Sequence, residues 1–365
     1  MTYFNYSTGP VELSHAAKVA LVDSPSSSHS RDAQDAIADT IGLIRTTLGI
    51  RPDTIVVMIP GSIRQALDLT IRAATGVTAG TVTLRSGYWA TFMHGLSQRY
   101  GQSAELVEEG DDSRLPEYGL VQAVHVETEF GIITDVTALL QGAREVGALT
   151  VIDAACSTPI DPFDLADCDI GVLGSHKCLG GPPGLGILVI KQAILATLQS
   201  SPGAGWSLNA YIDDSLAKHR FLLGEANRPF DKPPLVTYPM QIVNALRHAL
   251  LDRVAAGIAA ETHANSAARL REGFVESGFS VPKGRLSNAV LRFDVPSGID
   301  AEALRRELLA RGYFVIGGIG TSGAGAIRIG CMSIPQLNLD NIEKFVAVVS
   351  DVCGSGAARS KSAVG

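Results

Sequence analysis

Lys177 and Asp153 are the residues of this chain whose types and placement point most directly to chemistry. Lys177 lies in Gly174-Ser175-His176-Lys177-Cys178-Leu179-Gly180-Gly181-Pro182-Pro183-Gly184, between apolar segments at 170–173 and 185–190. Asp153 stands 24 residues upstream, at the end of the apolar run Ala148-Leu149-Thr150-Val151-Ile152. Glycine, proline and apolar flanks exclude an ordinary exposed helix face for the lysine. An amine desolvated in such a loop becomes a usable nucleophile and base. A lysine of this kind paired with a strand-end aspartate suits pyridoxal phosphate. The lysine would form a Schiff base, and the aspartate would keep the pyridine nitrogen protonated so that the ring acts as an electron sink. A helix N-cap is the other reading of Asp153.

Further candidates fall at the ends of predicted strands. Gly61-Ser62-Ile63-Arg64 closes one strand and opens a helix, where free backbone N–H groups and the helix dipole favour a phosphate. Arg64 either pairs with that phosphate or faces solvent. Trp89, after Ser86-Gly87-Tyr88, is placed to lie flat on a pyridine ring, with a core position as the alternative. In His125-Val126-Glu127-Thr128-Glu129-Phe130-Gly131, Thr128 is the candidate cofactor contact, and His125 and Glu127 read equally well as structural. Arg328, inside the apolar strand Ala326-Ile327-Arg328-Ile329-Gly330, must find an anion. A carboxylate held in bidentate fashion is the functional reading and an internal salt bridge the other. Side chains near 8–10 and 28–31, His29 and Arg31 among them, are candidates for setting substrate choice, or else solvated loop residues.

These residues need a scaffold that brings strand ends together. Predicted strands at 54–59, 81–84, 120–126, 149–153, 170–173 and 186–190 alternate with helices at 63–74 and up to Tyr100. Such alternation implies crossover connections and a mostly parallel sheet, whose ligands bind beyond the carboxyl ends of the strands. Residues 237–276 read as one long helix leading into a smaller α/β unit. That unit has strands at 289–293, 313–316 and 326–329 and helices at 300–311 and 340–352. The expected division is a large domain at 1–250, a small domain at 251–353 and a disordered tail at 354–365. No internal repeat is evident.

Composition agrees with an enzyme rich in buried strand. The 365 residues are 46 % hydrophobic and 18 % charged, which excludes a disordered chain. A net charge of −7 without a basic block argues against nucleic acid as a partner. Five cysteines without metal-ligand spacing predict reduced thiols, no metal site and a cytoplasmic protein. Neither a signal peptide nor an apolar run of membrane-spanning length is read.

Together the motifs resemble the class V aminotransferases of pyridoxal-phosphate fold type I. The nearest likeness is to the alanine–glyoxylate / serine–pyruvate group and its 2-aminoethylphosphonate–pyruvate relatives, across roughly residues 5 to 350. The family's opening Gly-Pro turn is similar to Ser7-Thr8-Gly9-Pro10, which puts Gly9 at the substrate. Its phosphate loop and helix resemble Ser62-Ile63-Arg64-Gln65-Ala66-Leu67-Asp68. Its aromatic segment resembles Ser86-Gly87-Tyr88-Trp89-Ala90. Its His-x-Glu-x-x-x-Gly segment matches His125 to Gly131, and its Ser-x-Lys with a later Pro-Gly matches Ser175-His176-Lys177 and Pro183-Gly184.

The resemblance implies a large domain around a mostly parallel seven-stranded sheet plus a smaller C-terminal α/β domain. It implies a homodimer in which Thr237, of Thr237-Tyr238-Pro239, reaches the cofactor phosphate of the neighbouring subunit. Arg328-Ile329-Gly330 matches the family's substrate clamp, and His176 takes the place before the lysine where many relatives carry glutamine. Pro234 and Ser86 also depart from the pattern, and Arg64 stands where it could replace a missing phosphate contact. The expected activity is transamination from a small amino acid to glyoxylate or pyruvate. Alternatives are 2-aminoethylphosphonate–pyruvate transamination, a lyase of cysteine desulfurase type, and a binding module without turnover. The loop 317–325 contains no cysteine to accept sulfur, which counts against the desulfurase.

Overall fold

The computed structural model describes residues 3–23, 27–110, 115, 119–161, 163–229 and 236–355. Seven strands form its main sheet, in the order Thr54–Gly61, Gly184–Lys191, Ile170–Gly174, Leu149–Asp153, Leu120–Val124, Thr81–Leu84, Ala104–Val107. Only Gly184–Lys191 runs against the others. Strands buried on both faces need apolar residues at successive positions, not alternate ones. Thr54–Gly61 shows why. Ile55, Val57 and Ile59 pack into the core beneath helix Ile63–Thr75, while Val56 and Met58 pack into the core beneath helices Arg31–Leu48 and Met240–Ala255.

The predicted strand at 120–126 divides at His125. Leu120–Val124 stays in the sheet, and Val126–Glu127 turns away to pair antiparallel with Ile132–Ile133. The backbone N–H of His125 still bonds to Asp153 O at 3.0 Å. This divergence opens a gap at the carboxyl edge of the sheet. The edge strand Ala104–Val107 was not predicted.

Residues 237–276 form two helices rather than one. Met240–Ala255 ends just before Gly257, whose φ is +58°, and Ala260–Glu276 follows. The N–H of Ile258 closes the first helix on Arg253 O. Leu246 and Leu250 of the first helix pack with the large sheet, whereas Ala267, Leu270 and Phe274 of the second join a separate core. Residue 250, the expected boundary, lies within helix Met240–Ala255.

The second unit holds the antiparallel sheet Val290–Asp294, Ala326–Gly330, Ile316–Gly317. The predicted strand at 313–316 is two pieces. Tyr313–Phe314 pairs parallel with Phe4–Asn5, so the N-terminal strand and Tyr6 pack into this second core. Gly354 and Ser355, expected in the tail, continue helix Leu339–Ser355. Residues 356–365 and Pro234 lie outside the described residues.

Candidate active site

A cavity of about 420 Å³ opens beyond the carboxyl ends of the central strands. It is lined by Gly9, Ser62, Ile63, Arg64, Trp89, Thr128, Asp153, His176 and Lys177, all expected from sequence. Val124, Val126, Ala155 and Cys156 complete the wall, and none of these four was expected.

Lys177 reaches the cavity from the turn after Ile170–Gly174. Its Nζ donates to Thr8 O at 2.5 Å, which brings in the N-terminal segment. Gly9 is required there: its φ is +111°, and a Cβ would stand 2.4 Å from Lys177 Cδ and 2.9 Å from Nζ. Asp153 ends its strand buried, with Oδ1 accepting the N–H of Ala155 at 2.9 Å. Burial raises its pKa to about 6, and Lys177 opposes that shift. Asp153 does not cap a helix, since no helix starts after it. A cation facing this carboxylate would restore its charge.

Ser62 caps helix Ile63–Thr75, its Oγ accepting from the N–H of Gln65 at 3.2 Å. The positive end of this 13-residue helix faces the cavity beside Ser62 and Ile63. Arg64 is exposed, and its guanidinium lies 5.0 Å from the centre of the Trp89 ring, a cation–π contact the sequence did not suggest. Trp89 is fixed at two points. Its N–H donates to Glu127 Oε2 at 3.0 Å, and its indole Nε1 donates to Thr128 Oγ1 at 2.9 Å. His176 is held neutral, because burial and then Lys177 push its pKa down to about 4, and its Nδ1 has no protein partner among the described residues.

A family model for class-V aminotransferases matches residues 19–220, more than half of the chain. The chain belongs to the class-V aminotransferases. A pyridoxamine–pyruvate transaminase of Mesorhizobium japonicum is 30 % identical over 226 residues, which cover 60 % of this chain and 55 % of that protein. The chain thus spans about half the length of this curated relative. Two solved structures share the fold over nearly their whole length. An alanine–glyoxylate aminotransferase from Nostoc sp. has a TM-score of 0.83 at 20 % identity, covering 96 % of this chain and 95 % of that one. A ureidoglycine–glyoxylate aminotransferase from Bacillus subtilis has a TM-score of 0.84 at 18 % identity, covering 99 % and 96 %.

This class-V aminotransferase has a site that fits pyridoxal phosphate. The cavity offers an amine, a buried carboxylate with one protein donor, a helix N-terminus and an indole at its edge. Arg328 stands behind Thr128. Its Nε donates to Gly317 O at 2.9 Å and its Nη1 to Thr128 O at 3.4 Å. It is buried and makes no carboxylate contact within 4 Å among the described residues, although the charges of Glu127 and Glu129 act on it from farther off. Thr237 is exposed and does not line its own chain's cavity. His29 and Arg31 are exposed at the start of helix Arg31–Leu48, also outside the cavity. His125 packs on Phe163, and burial pushes its pKa down to about 4, as suits a structural residue. Cys156 was missed because a lone cysteine after a strand carries no spacing signal.

Proposed function

We propose that this chain is a pyridoxal-phosphate-dependent transaminase that moves the amino group of a small amino acid, of alanine or serine type, to glyoxylate or pyruvate. The observation that carries this reading is the convergence of Lys177, Asp153 and the Ser62 helix terminus on one cavity, with Arg328 behind it. When bound, the cofactor supplies a conjugated ring that takes up the electron pair left by the departing α-proton. Lys177 Nζ would be the base that takes that proton from the substrate's α-carbon and the acid that gives it back. Asp153 would hold the proton on the pyridine nitrogen, and a cation facing it there would reverse the effect of burial. Ser62, Ile63 and Arg64 would hold the phosphate, and Trp89, Thr128 and His176, which line the same cavity, would hold the ring. Arg328 receives the substrate carboxylate and sets the angle of the breaking C–H bond, with Gly9 leaving room beside the lysine.

We also infer a homodimer in which Thr237 completes the neighbour's phosphate site. Its exposure outside its own cavity supports this. The free state of all five cysteines supports a reducing, cytoplasmic setting. The desulfurase alternative loses ground at Cys331. That thiol is fully buried at a strand end, and burial raises its pKa to about 12, so it is a poor sulfur acceptor.

The test is a single-turnover absorbance scan of the cofactor-loaded protein against alanine, serine, glycine, aspartate, cysteine and 2-aminoethylphosphonate. Alanine or serine should convert the visible band to the near-ultraviolet absorbance of the pyridoxamine form, and Lys177→Arg should remove turnover. Normal turnover by Lys177→Arg would refute the mechanism. Conversion by 2-aminoethylphosphonate alone would transfer the assignment to the phosphonate substrate.

A further inference from the structure

The loop 317–325, Gly317-Gly318-Ile319-Gly320-Thr321-Ser322-Gly323-Ala324-Gly325, contains five glycines in nine residues. Glycine loses more backbone freedom on ordering than any other residue, so such a segment stays in one conformation only when contacts hold it there. The foot of the loop is held by the sheet, where Gly317 pairs with Ile327 and Gly318 N–H donates to Ala326 O at 2.9 Å; at its tip the contacts converge on one side chain and its backbone. Ser322 Oγ donates to Glu129 Oε1 at 2.8 Å, and Ser322 N–H donates to the same oxygen at 3.2 Å. Arg292 Nη1 donates to Ser322 Oγ at 2.7 Å, and its Nη2 donates to Ser322 O at 2.9 Å. Both partners are charged, which makes these bonds stronger than neutral ones. Glu129 and Arg292 are themselves anchored. Glu129 is buried, Arg292 Nη1 bonds Glu129 O at 3.1 Å, and Arg292 Nη2 pairs with Asp294 at 2.8 Å.

The two ends of this arrangement adjoin residues of the site. Glu129 directly follows Thr128, which lines the cavity. The first residue of the loop, Gly317, gives its carbonyl to Arg328 Nε at 2.9 Å. A guanidinium has five N–H donors in a fixed fork, and Gly317 O takes one of them, which sets how the others are aimed.

We infer that Ser322 is a latch: by fastening the tip of the glycine loop to Glu129 and Arg292, it steadies the loop where it leaves Gly317, which strand pairing with Ile327 already places, and so keeps fixed the carbonyl that aims the guanidinium receiving the substrate carboxylate. Ser322 touches neither the cavity's lysine nor its phosphate end, so it is a positioning residue, not a catalytic one. The inference rests on the reading of Arg328 as the carboxylate anchor.

Two measurements on the holoenzyme test it. The first is amide hydrogen exchange of the 317–325 segment in the parent, Ser322→Ala and Ser322→Thr. Loss of the hydroxyl's bonds should speed exchange about tenfold in Ser322→Ala, and Ser322→Thr should resemble the parent. The second is steady-state kinetics with L-alanine and glyoxylate. Ser322→Ala should raise the KM of both about five- to tenfold, with kcat within about twofold and cofactor affinity unchanged, as a loss of carboxylate positioning requires. Unchanged exchange in Ser322→Ala overturns the latch. Faster exchange with an unchanged KM overturns its link to Arg328. If the parent turns over neither L-alanine nor any other donor of the panel, the functional reading fails, while the exchange measurement still decides whether Ser322 fastens the loop.

Discussion

Glu127 serves shape at the edge of the cavity without lining it. Its two oxygens accept the N–H groups of Trp89 and Glu129, each at 3.0 Å. One carboxylate therefore places both the ring that borders the cavity and the residue that holds Ser322. Burial raises its pKa to about 7, although the backbone donors Glu129, Trp89 and Ala90 pull it down. A folded pKa above the ordinary carboxylate value means that the fold binds the proton more tightly than the unfolded chain does. The stability this contributes is full below about pH 4.5 and is lost as pH rises through about 7. Glu127→Gln carries no charge at any pH. The parent's stability advantage over this variant should therefore shrink by up to about 3 kcal/mol between pH 4.5 and pH 8, read as the difference in unfolding free energy at each pH. A constant difference would show that Glu127 keeps an ordinary pKa. Lys177 and Asp153 were legible because each is bracketed by its own flanking residues. The Glu127–Trp89 bond was not, because it joins residues 38 apart whose approach depends on where two strands end.

At the scale of elements, the strands buried on both faces announced themselves as continuous apolar runs, and the structure places them where the alternation with helices put them. Ala104–Val107 escaped because an edge strand of four residues, three of them half-buried and one of those Glu105, has no such run. The helix break at 257 escaped for a different reason. Apolar positions continue at helical spacing on both sides, so periodicity alone cannot see a change of direction. The signal was the glycine: Ala256-Gly257 follows Arg253 and Val254, and Gly257 N–H closes on Val254 O at 3.1 Å in the left-handed conformation that ends many helices. A Cβ at Gly257 meets nothing within 4 Å, so Gly257→Ala tests backbone conformation without a clash. It should destabilise the protein by about 1 kcal/mol, measured as a lower denaturant midpoint with an unchanged slope. A variant as stable as the parent would mean that packing of the two helices on separate cores, not the glycine, sets the break.

For the whole molecule, residues 4–10 link the second unit to the lysine. Phe4–Asn5 pairs in parallel with Tyr313–Phe314, Tyr6 O accepts from Gly330 N–H at 2.7 Å, and Thr8 O meets Lys177 Nζ. Gln336 bonds both Asn5 O and Ser7 O, so the segment is held along its length by the second unit. Tyr6 is its anchor. The ring is fully buried and stacked on Phe345, with centroids 4.5 Å apart and planes 12° apart. Its hydroxyl has no hydrogen-bond partner among the described residues, and burial pushes the phenol's pKa far up. An unsatisfied buried hydroxyl costs about 1–3 kcal/mol, so Tyr6→Phe should leave stability unchanged or raise it by about 1 kcal/mol. Tyr6→Ala should instead lower it by about 3–5 kcal/mol, the usual cost of emptying an aromatic site in a core. The two variants also separate packing from position. If the N-terminal segment sets the lysine by being pinned at Tyr6, Tyr6→Ala should lose activity at temperatures where unfolding measurements show it still folded, and Tyr6→Phe should keep it. Equal loss in both variants would mean that the hydroxyl, not the ring, has the partner that matters. Full activity in folded Tyr6→Ala would mean that Gly9 and Thr8 are held from the lysine side, and that the second unit exerts its influence on the cavity through Arg328 alone.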